Sequence, residues 1–392
     1  NIKYKISNEK NMSRKFSREI RSEVTKDGKI IISIAKVPVI FPKKDEVLVK
    51  IEASPINPSD LGRLITFGAD LNNINILGSG DETVTTIEIN NKLLNSLKNR
   101  IGKSMNVGNE GAGIIVESGK DSKRLLGKIV GLAGGGMYSE YRCVKAKSCL
   151  VMSDGTSARE AASSFVNPLT ALGFIETMKL ENHKAIVHTA AASNLGKMLV
   201  KLCKNESIPL INIVRSAKQV ENLKKIGAEF VLNMNDNLFM EDLINAIKET
   251  GATLGFDATG GGNDGKLVGQ ILSSMEIAAS TKSKEYLMYG SESFKQIYIY
   301  GVLDRNPIVL KNSFGFYWGI GGWLLMPMIK KFGLVAFQNM REKVAREIKT
   351  TFRSEYKKII SFEEMLQPEI IRDFFRQSTG EKYLLDPWKQ GK

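Results

Sequence analysis

The sequence predicts an α/β protein of two domains: a β-rich module, then a domain in which strands and helices alternate around a parallel sheet. Three observations carry this. The 392 residues leave room for about two domains of the usual ~100–200 residues. From Gly28 to about Leu150 short β-rich segments are broken by turns, and from about Thr170 strand-like and helix-like segments alternate, which is the pattern of a parallel sheet with crossover helices. With 42% hydrophobic and 25% charged residues, each domain can bury a real core.

In chain order, residues 1–27 read as a frayed, basic and polar N-terminal extension. The strands "GKIIISIAKVPVI", "DEVLVKIEAS", "GAGIIVES", "GKIVGLAG" and "YSEYRCVKA" build the first module, over residues 28–169. Between Phe67 and Val107 it is interrupted by an irregular segment, expected to be either a surface insertion or a reshaped substrate entrance. The alternating domain covers residues 170–310: "KAIVHTA", "PLINIV", "EFVLN", "LGFDATGG" and "IYIYGVL" as strands, with "LGKMLVKLCK", "AKQVENLKKIG" and "MEDLINAIKETG" as helices. After about Pro307 the chain becomes aromatic-rich and helical, and residues 311–392 are assigned back to the first module.

Several function classes fall away. The most apolar stretch, "FGFYWGIGGWLLMPMI", holds Pro327 and four glycines and is shorter than the roughly 20 residues a spanning helix needs, so no membrane role is expected. Cys143, Cys149 and Cys203 contain no C-x-x-C and form neither a disulfide framework nor a metal knuckle. Together with an N-terminus lacking an apolar leader core, this points to the cytoplasm. A formal charge of +14 permits a polyanionic partner, but the lysines are scattered and no nucleic-acid motif accompanies them, so nucleic acid is not expected.

The informative stretch is "VHTAAASNLGKMLVKLCK" (187–204). A dinucleotide-binding turn uses one glycine to bend, one to admit the pyrophosphate and one to pack helix on strand. Here those places hold Ala191, Ser193 and Gly196. Ser193 adds a hydroxyl to the backbone N–H groups at a helix start, and Asn194, followed by Leu195, tolerates positive φ. The next strand ends in Arg215 and Ser216, then Lys218, with no acid before Glu221. Cations there suit a 2′-phosphate and a carboxylate would repel it, so NADPH is expected over NADH.

The chain also resembles the medium-chain dehydrogenases/reductases, in their zinc-free quinone-reductase and enoyl-reductase branch. The resemblance rests on "DEVLVKIEASPINPSDL", "GNEGAGIIVESG", "GMYSEYRCV", "VNPLTALGF", "GFDATGG" and "EKYLLDP", in that order. It implies a GroES-like catalytic domain made from both chain ends, an inserted doubly wound Rossmann domain, and a cleft for nicotinamide and substrate. Zinc-dependent members would have Cys and His where this chain has Asn57 and Asn109, and Asn is not a usual zinc ligand, so no metal is expected. The resemblance further implies Asn57 and Thr170 near the reacting carbonyl, Tyr138 as a donor or a packed aromatic, Asp60 in support, Glu110 as structural, and Thr259 and Gly301 along the cofactor. Phe67 stands where enoyl-thioester reductases carry a proton-donating Tyr. A homodimer is expected, through "IYIYGVL" and the apolar stretch after it. Without a Lewis acid, the remaining chemistry is hydride addition to a polarised acceptor, with donors on the carbonyl oxygen: an enone or enoyl thioester first, a quinone as the alternative. A non-catalytic nucleotide- or nucleic-acid-binding protein is the reading from another class.

Overall fold

The computed structural model describes residues 15–281, 283–311, 313–376 and 382–390. The chain divides into two compact units, Asn1–Val166 with Ala345–Lys392, and Asn167–Val344.

The first unit opens with β1 (Phe16–Val24), β2 (Lys29–Pro38) and β3 (Glu46–Pro55), then α1 (Pro58–Leu64), β4 (Ile74–Leu77), β5 (Val84–Glu88), α2 (Asn91–Ser96) and β6 (Met105–Asn106). β7 (Glu110–Ser118), β8 (Ile129–Ala133), β9 (Tyr141–Lys145), β10 (Leu150–Val151) and α3 (Ala158–Ala161) complete its N-terminal part. One sheet runs β4-β5-β2-β1-β6, and β3 is the hub of the other, pairing β7 and β9. The alternation read from the sequence is the cause: Val47, Val49 and Ile51 point to one core with Ile115, Val130 and Leu132, as period-two side chains must.

Two expectations are corrected here. Residues from Phe16 are no frayed extension: β1 pairs along its whole length with β2, and Ile20 and Val24 are fully buried. Residues 1–14 of the expected extension lie outside the described residues. The 67–107 segment is no loose insertion either, since β5 extends the sheet beside β2. Its Arg100 donates to the Gly62 and Arg63 carbonyls (3.2 and 2.7 Å), satisfying carbonyls that the end of α1 leaves unpaired. Polar, turn-rich sequence hid both features, because the apolar positions alternate too briefly to register as strands.

In the second unit α4 (Val166–Leu180) leads to β11 (Ile186–His188), α5 (Asn194–Asn205), β12 (Leu210–Val214), α6 (Ala217–Lys225), β13 (Phe230–Asn233), α7 (Phe239–Thr250), β14 (Leu254–Asp257), α8 (Leu267–Ser280), β15 (Lys295–Ile299), β16 (Trp318–Gly322), α9 (Leu325–Phe332) and α10 (Leu334–Glu347). The six strands are parallel in the order β13-β12-β11-β14-β15-β16, the doubly wound order whose direction reverses between the first and fourth strands. Val187, Ile211, Ile213 and Ile297 bury one sheet face against Leu243, Ile247, Leu267 and Ile271. The apolar stretch after Pro307, expected to rejoin the first domain, supplies β16 and stays with this unit to Val344. Consequently β15 is an interior strand, and the sheet edge expected at "IYIYGVL" lies at β16.

Where α8 hands over to β15, Lys295 is fully buried and its Nζ lies 2.5 Å from Glu276 Oε2. The Ser291 N–H and hydroxyl donate to the same carboxylate, and this cation and these donors hold its pKa down to about 2 despite burial. The chain then returns through β17 (Lys358–Ile360), α11 (Phe362–Met365), α12 (Pro368–Phe375) and β18 (Tyr383–Leu385), where β18 pairs with β3 and β17. Among the described residues no helix is long and apolar enough to cross a membrane.

Candidate active site

In the second unit, the segment between β11 and α5 is held by backbone. The Ala191 N–H donates to the Ile213 carbonyl (3.2 Å), and Ser193 caps α5 by accepting the Gly196 N–H (3.1 Å). At Gly196 any Cβ would stand 2.0 Å from the Ala191 carbonyl oxygen, so only glycine lets the helix lie against the turn. Leu195 is buried beneath it. The positive φ expected at Asn194 falls instead on Ala190 (49°), and Asn194 is the first residue of α5. The bend is made before the helix, at a strain of about 1 kcal/mol for a residue with a Cβ.

At the ends of β11 and β14, Asp257 gathers the Thr189 and Thr259 hydroxyls (2.5 and 2.7 Å) and the Thr259 and Gly260 N–H groups (3.1 and 2.7 Å). The Thr259 hydroxyl donates to Asp257 and so holds the strand ends together at the point of reversal. Gly301 follows β15, and a Cβ there would meet the Ala258 carbonyl at 2.7 Å. Arg215 is exposed, its backbone fixed by Gln219 Oε1 (3.1 Å) and by Asn235 Nδ2 on its carbonyl (2.8 Å). Ser216 caps α6. Among the described residues neither Arg215 nor Lys218 forms an ion pair, whereas Glu221 is taken by Lys225 at 2.6 Å. A helix start with no room for a side chain, strand ends locked at the reversal, and two unpaired cations fit the pyrophosphate and 2′-phosphate of a dinucleotide.

The first unit holds a different kind of cluster. Asn57, ahead of α1, is 2% exposed; its N–H donates to Asp60 Oδ2 (2.8 Å) and its Nδ2 to Glu110 Oε1 (2.9 Å). Its Oδ1 is buried in the capping box of α1, on the side of the Asp60 N–H. The donor end of the amide is thus engaged by Glu110. Asp60 also accepts the Asn109 N–H (2.8 Å), and burial raises its pKa to about 6 against these hydrogen bonds. Glu110 Oε2 accepts the Phe165 and Val166 N–H groups (2.9 and 3.0 Å).

Tyr138 is fully buried, with its hydroxyl donating to the Pro55 carbonyl (3.3 Å) and interacting with Asp60. Burial and those carboxylates push its pKa well above the usual phenol value. Its ring belongs to a core with Ile20, Leu61 and Phe362. Thr170 lies on α4 in the other unit, 9% exposed. Phe67 packs near Phe375, with centroids 6.4 Å apart.

Lys382, Ser163 and Tyr356 escaped the sequence reading. Lys382 Nζ is buried, donates to Ser163 Oγ (2.8 Å) and lies 3.9 Å from Glu110 Oε1; Ser163 also bonds the Tyr356 hydroxyl (3.0 Å). The available signal was a lysine heading the apolar run "KYLL". His183 bonds Thr253. His188, pushed down to a pKa of about 3 by burial, bonds Tyr300. Among the described residues no group of three or more His, Cys, Asp or Glu could hold a metal ion.

No protein-family model matches the chain. It is 26% identical over 197 residues to a mitochondrial enoyl-[acyl-carrier-protein] reductase of Caenorhabditis elegans, covering 48% of this chain and 49% of that one. It is 26% identical over 320 residues to the enzyme of that name from Arabidopsis thaliana, covering 77% and 71%. The matched region thus spans about half the length of the first of these relatives and 71% of the second. A solved structure named as a putative NADPH:quinone reductase from Mesorhizobium loti superposes with a TM-score of 0.67 at 22% identity, over 95% of this chain and 99% of the other. That likeness shows the fold: a GroES-like unit and a Rossmann unit.

Proposed function

We propose that this chain, a medium-chain dehydrogenase/reductase of the quinone-reductase and enoyl-reductase branch, is a zinc-independent, NADPH-dependent reductase of α,β-unsaturated carbonyl compounds. The observation that carries the reading is the pair of cations without an ion pair among the described residues, Arg215 and Lys218, at the end of β12, with the nearest following acid already bound to Lys225. NADPH, when bound, supplies the hydride equivalent.

The remaining work falls to the chain. Ala191, Ser193, Asn194, Leu195 and Gly196 form the cradle for the pyrophosphate, and Gly301 keeps the backbone beside β14 close. The Thr170 hydroxyl is the proposed donor to the substrate's carbonyl oxygen, where charge develops, and Asn57 keeps the place the resemblance gives it, near the reacting carbonyl. Asn57 and Asn109 stand where thiolate or imidazole would be needed for zinc, which supports a metal-free reaction. A quinone acceptor is the runner-up in the same class. Nucleic-acid binding is disfavoured because many surface lysines are spent on acids, such as Lys145 on Asp45 and Lys128 on Asp154.

Two further parts belong to the proposal. A second copy adds along the edge strand β16, beside exposed Phe316, Leu324 and Met326, giving a homodimer that light scattering would reveal. Unpaired Cys143, Cys149 and Cys203 suit the reducing cytoplasm.

The test is a paired titration of metal-stripped protein with NADPH and NADH, followed by Trp quenching, then turnover of enones, enoyl thioesters and quinones. Tight NADPH and weak NADH binding with metal-free turnover is expected. Binding of neither nucleotide would remove the reading.

A further inference from the structure

The first unit brings two guanidinium groups to one bare turn. Between β8 and Tyr138 the chain passes through Gly134, Gly135 and Gly136, all at positive φ (116°, 93° and 71°), and goes from exposed to buried within those three residues. At Gly136 a Cβ would meet Asn106 Nδ2 at 2.7 Å and Arg142 Cζ and Nη1 at 2.9 Å, and at Gly135 it would stand 3.5 Å from Arg63 Nη1. Backbone without side chains therefore lies directly against two cations and an amide nitrogen, all of them donors. The turn adds donors of its own. Its flanking N–H groups, at Gly134 and Met137, go to the Asn109 and Gly108 carbonyls (3.2 and 3.1 Å), whereas among the described residues those of Gly135 and Gly136 have no acceptor.

The acids that could neutralise this cluster are engaged elsewhere. Glu19 is bound by Arg21 at 2.5 Å and Glu140 by Arg18 at 2.9 Å. Arg142, on β9, is partly buried, its Nε has no hydrogen-bond partner, and burial lowers its pKa against the distant pull of Glu19. Arg63 is exposed in the last turn of α1 and forms no ion pair among the described residues. A cation drawn out of water is ordinarily paired with an anion, and the planar guanidinium fork matches the oxygens of a phosphate. We propose that Arg63 and Arg142, with the bare turn Gly134–Gly136, form a binding site for a phosphate group.

The surroundings indicate which phosphate. Asn109, which accepts from the turn, donates its own N–H to Asp60 (2.8 Å), and Arg63 lies on the same helix as Asp60. The site thus adjoins the Asn57 cluster and uses none of the residues assigned to the nucleotide. The phosphate it takes is one carried by the substrate. That assignment rests on the reductase reading, whereas the binding of phosphate does not, and the experiment is divided accordingly.

Inorganic phosphate is titrated into the folded protein and into Arg63→Gln, following the arginine Nε–H resonances by NMR and the heat by calorimetry. Saturable binding should shift the Arg142 signal, recognised by its loss in Arg142→Lys, and Arg63→Gln should weaken the binding by about 10-fold or more. Should Arg142→Lys not fold, calorimetry of Arg63→Gln decides alone, because Arg63 is exposed and its loss leaves no cavity. No saturable binding, or binding that Arg63→Gln does not weaken, overturns the proposal whether or not the chain is a reductase.

The second arm compares crotonyl-coenzyme A with crotonyl-N-acetylcysteamine, the same enoyl thioester with and without phosphate. Arg63→Gln should raise KM about 10-fold for the first and leave the second within about 2-fold, with kcat and NADPH affinity nearly constant. Inorganic phosphate should compete with the first alone. If phosphate binding depends on Arg63 while both thioesters respond equally, the site is upheld and its ligand is free phosphate. Absence of turnover with either thioester counts against the reductase reading and leaves the result of the titration standing.

Discussion

The second unit makes its candidate site from one continuous stretch and the first unit makes its own from side chains scattered along the chain. Thr189 to Gly196 is contiguous, is held by backbone hydrogen bonds, and depends on the absence of a side chain at Gly196. The Asn57 cluster draws on residues 57, 60, 110, 163, 356 and 382 and depends on how buried charges and amides satisfy one another. A site of the first kind tolerates drift in identity, as Ala191 and Ser193 show, but no gain in volume. A site of the second kind tolerates changes of shape less critically than changes of charge.

The sharpest break of that comparison is Gly196→Val. The new Cβ would meet the Ala191 carbonyl oxygen at 2.0 Å, with the Ala191 Cα at 2.8 Å, and both are backbone that cannot swing aside. We expect a stability loss of about 2–4 kcal/mol and at least a hundredfold loss of NADPH affinity, measured by denaturation and fluorescence titration. Unchanged binding would mean that the nucleotide does not use this turn.

Each unit also buries an acid, and the two acids titrate in opposite directions. Asp60 forms no ion pair among the described residues, and burial raises its folded pKa to about 6 from 3.8. The folded state therefore binds that proton more tightly, so the stabilisation is fully present below the unfolded value and is lost as pH rises through about 6. The amount is about 3 kcal/mol at most. Glu276, paired with Lys295, falls to about 2 from 4.5, and its stabilisation is present above the unfolded value and lost as pH falls through about 2. Denaturation of wild type and Asp60→Asn between pH 4 and 7 should show the first slope as a difference. A difference that does not vary with pH would place Asp60 in contact with water.

How legible each region was follows from the same distinction. The parallel sheet, the helix pattern of α5 and the basic end of β12 could be read because periodicity and spacing are local properties. Gly196 was found because it stands at the packing position in the spacing of a dinucleotide-binding turn. The positive φ at Ala190 was not, because sequence assigns left-handed backbone to residues that tolerate it, whereas here the turn's hydrogen bonds impose it on one that does not. Lys382 was missed because its partners, Glu110 and Ser163, are far away in sequence and meet it only when β18 lies beside β3. The way the Asn57 amide faces was not legible for the same reason: residue type gives an amide both polarities, and only the neighbour at 110 selects one.

Arg215→Glu sharpens the comparison from the nucleotide side. Arg215 has no ion pair to lose among the described residues and its backbone bonds to Gln219 and Asn235 do not involve its side chain's charge, so stability should change by less than about 0.5 kcal/mol. NADPH affinity should fall by about 10-fold or more, as expected for losing a charge-assisted phosphate contact, with NADH affinity nearly constant. Equal losses for both nucleotides would show that Arg215 acts on the turn as a whole.

The smallest expected effect separates packing from chemistry in the first unit. Tyr138→Phe keeps the ring that Gly108 accommodates, where a Cβ would stand 2.5 Å from the Tyr138 ring, and removes only the hydroxyl that donates to Pro55 at 3.3 Å. A long hydrogen bond of this kind is worth about 1 kcal/mol or less, so stability should fall by no more than that and kcat should stay within about 2-fold. The same hydroxyl helps hold the Asp60 pKa down, so its removal should move the Asp60 titration upward while turnover is unaffected. A large fall in kcat would instead make Tyr138 a proton donor to the substrate. Because its side chain is fully buried, that outcome would require the bend carrying it to open during each turnover, and hydrogen exchange at Met137 and Ser139 would then have to quicken when substrate is present.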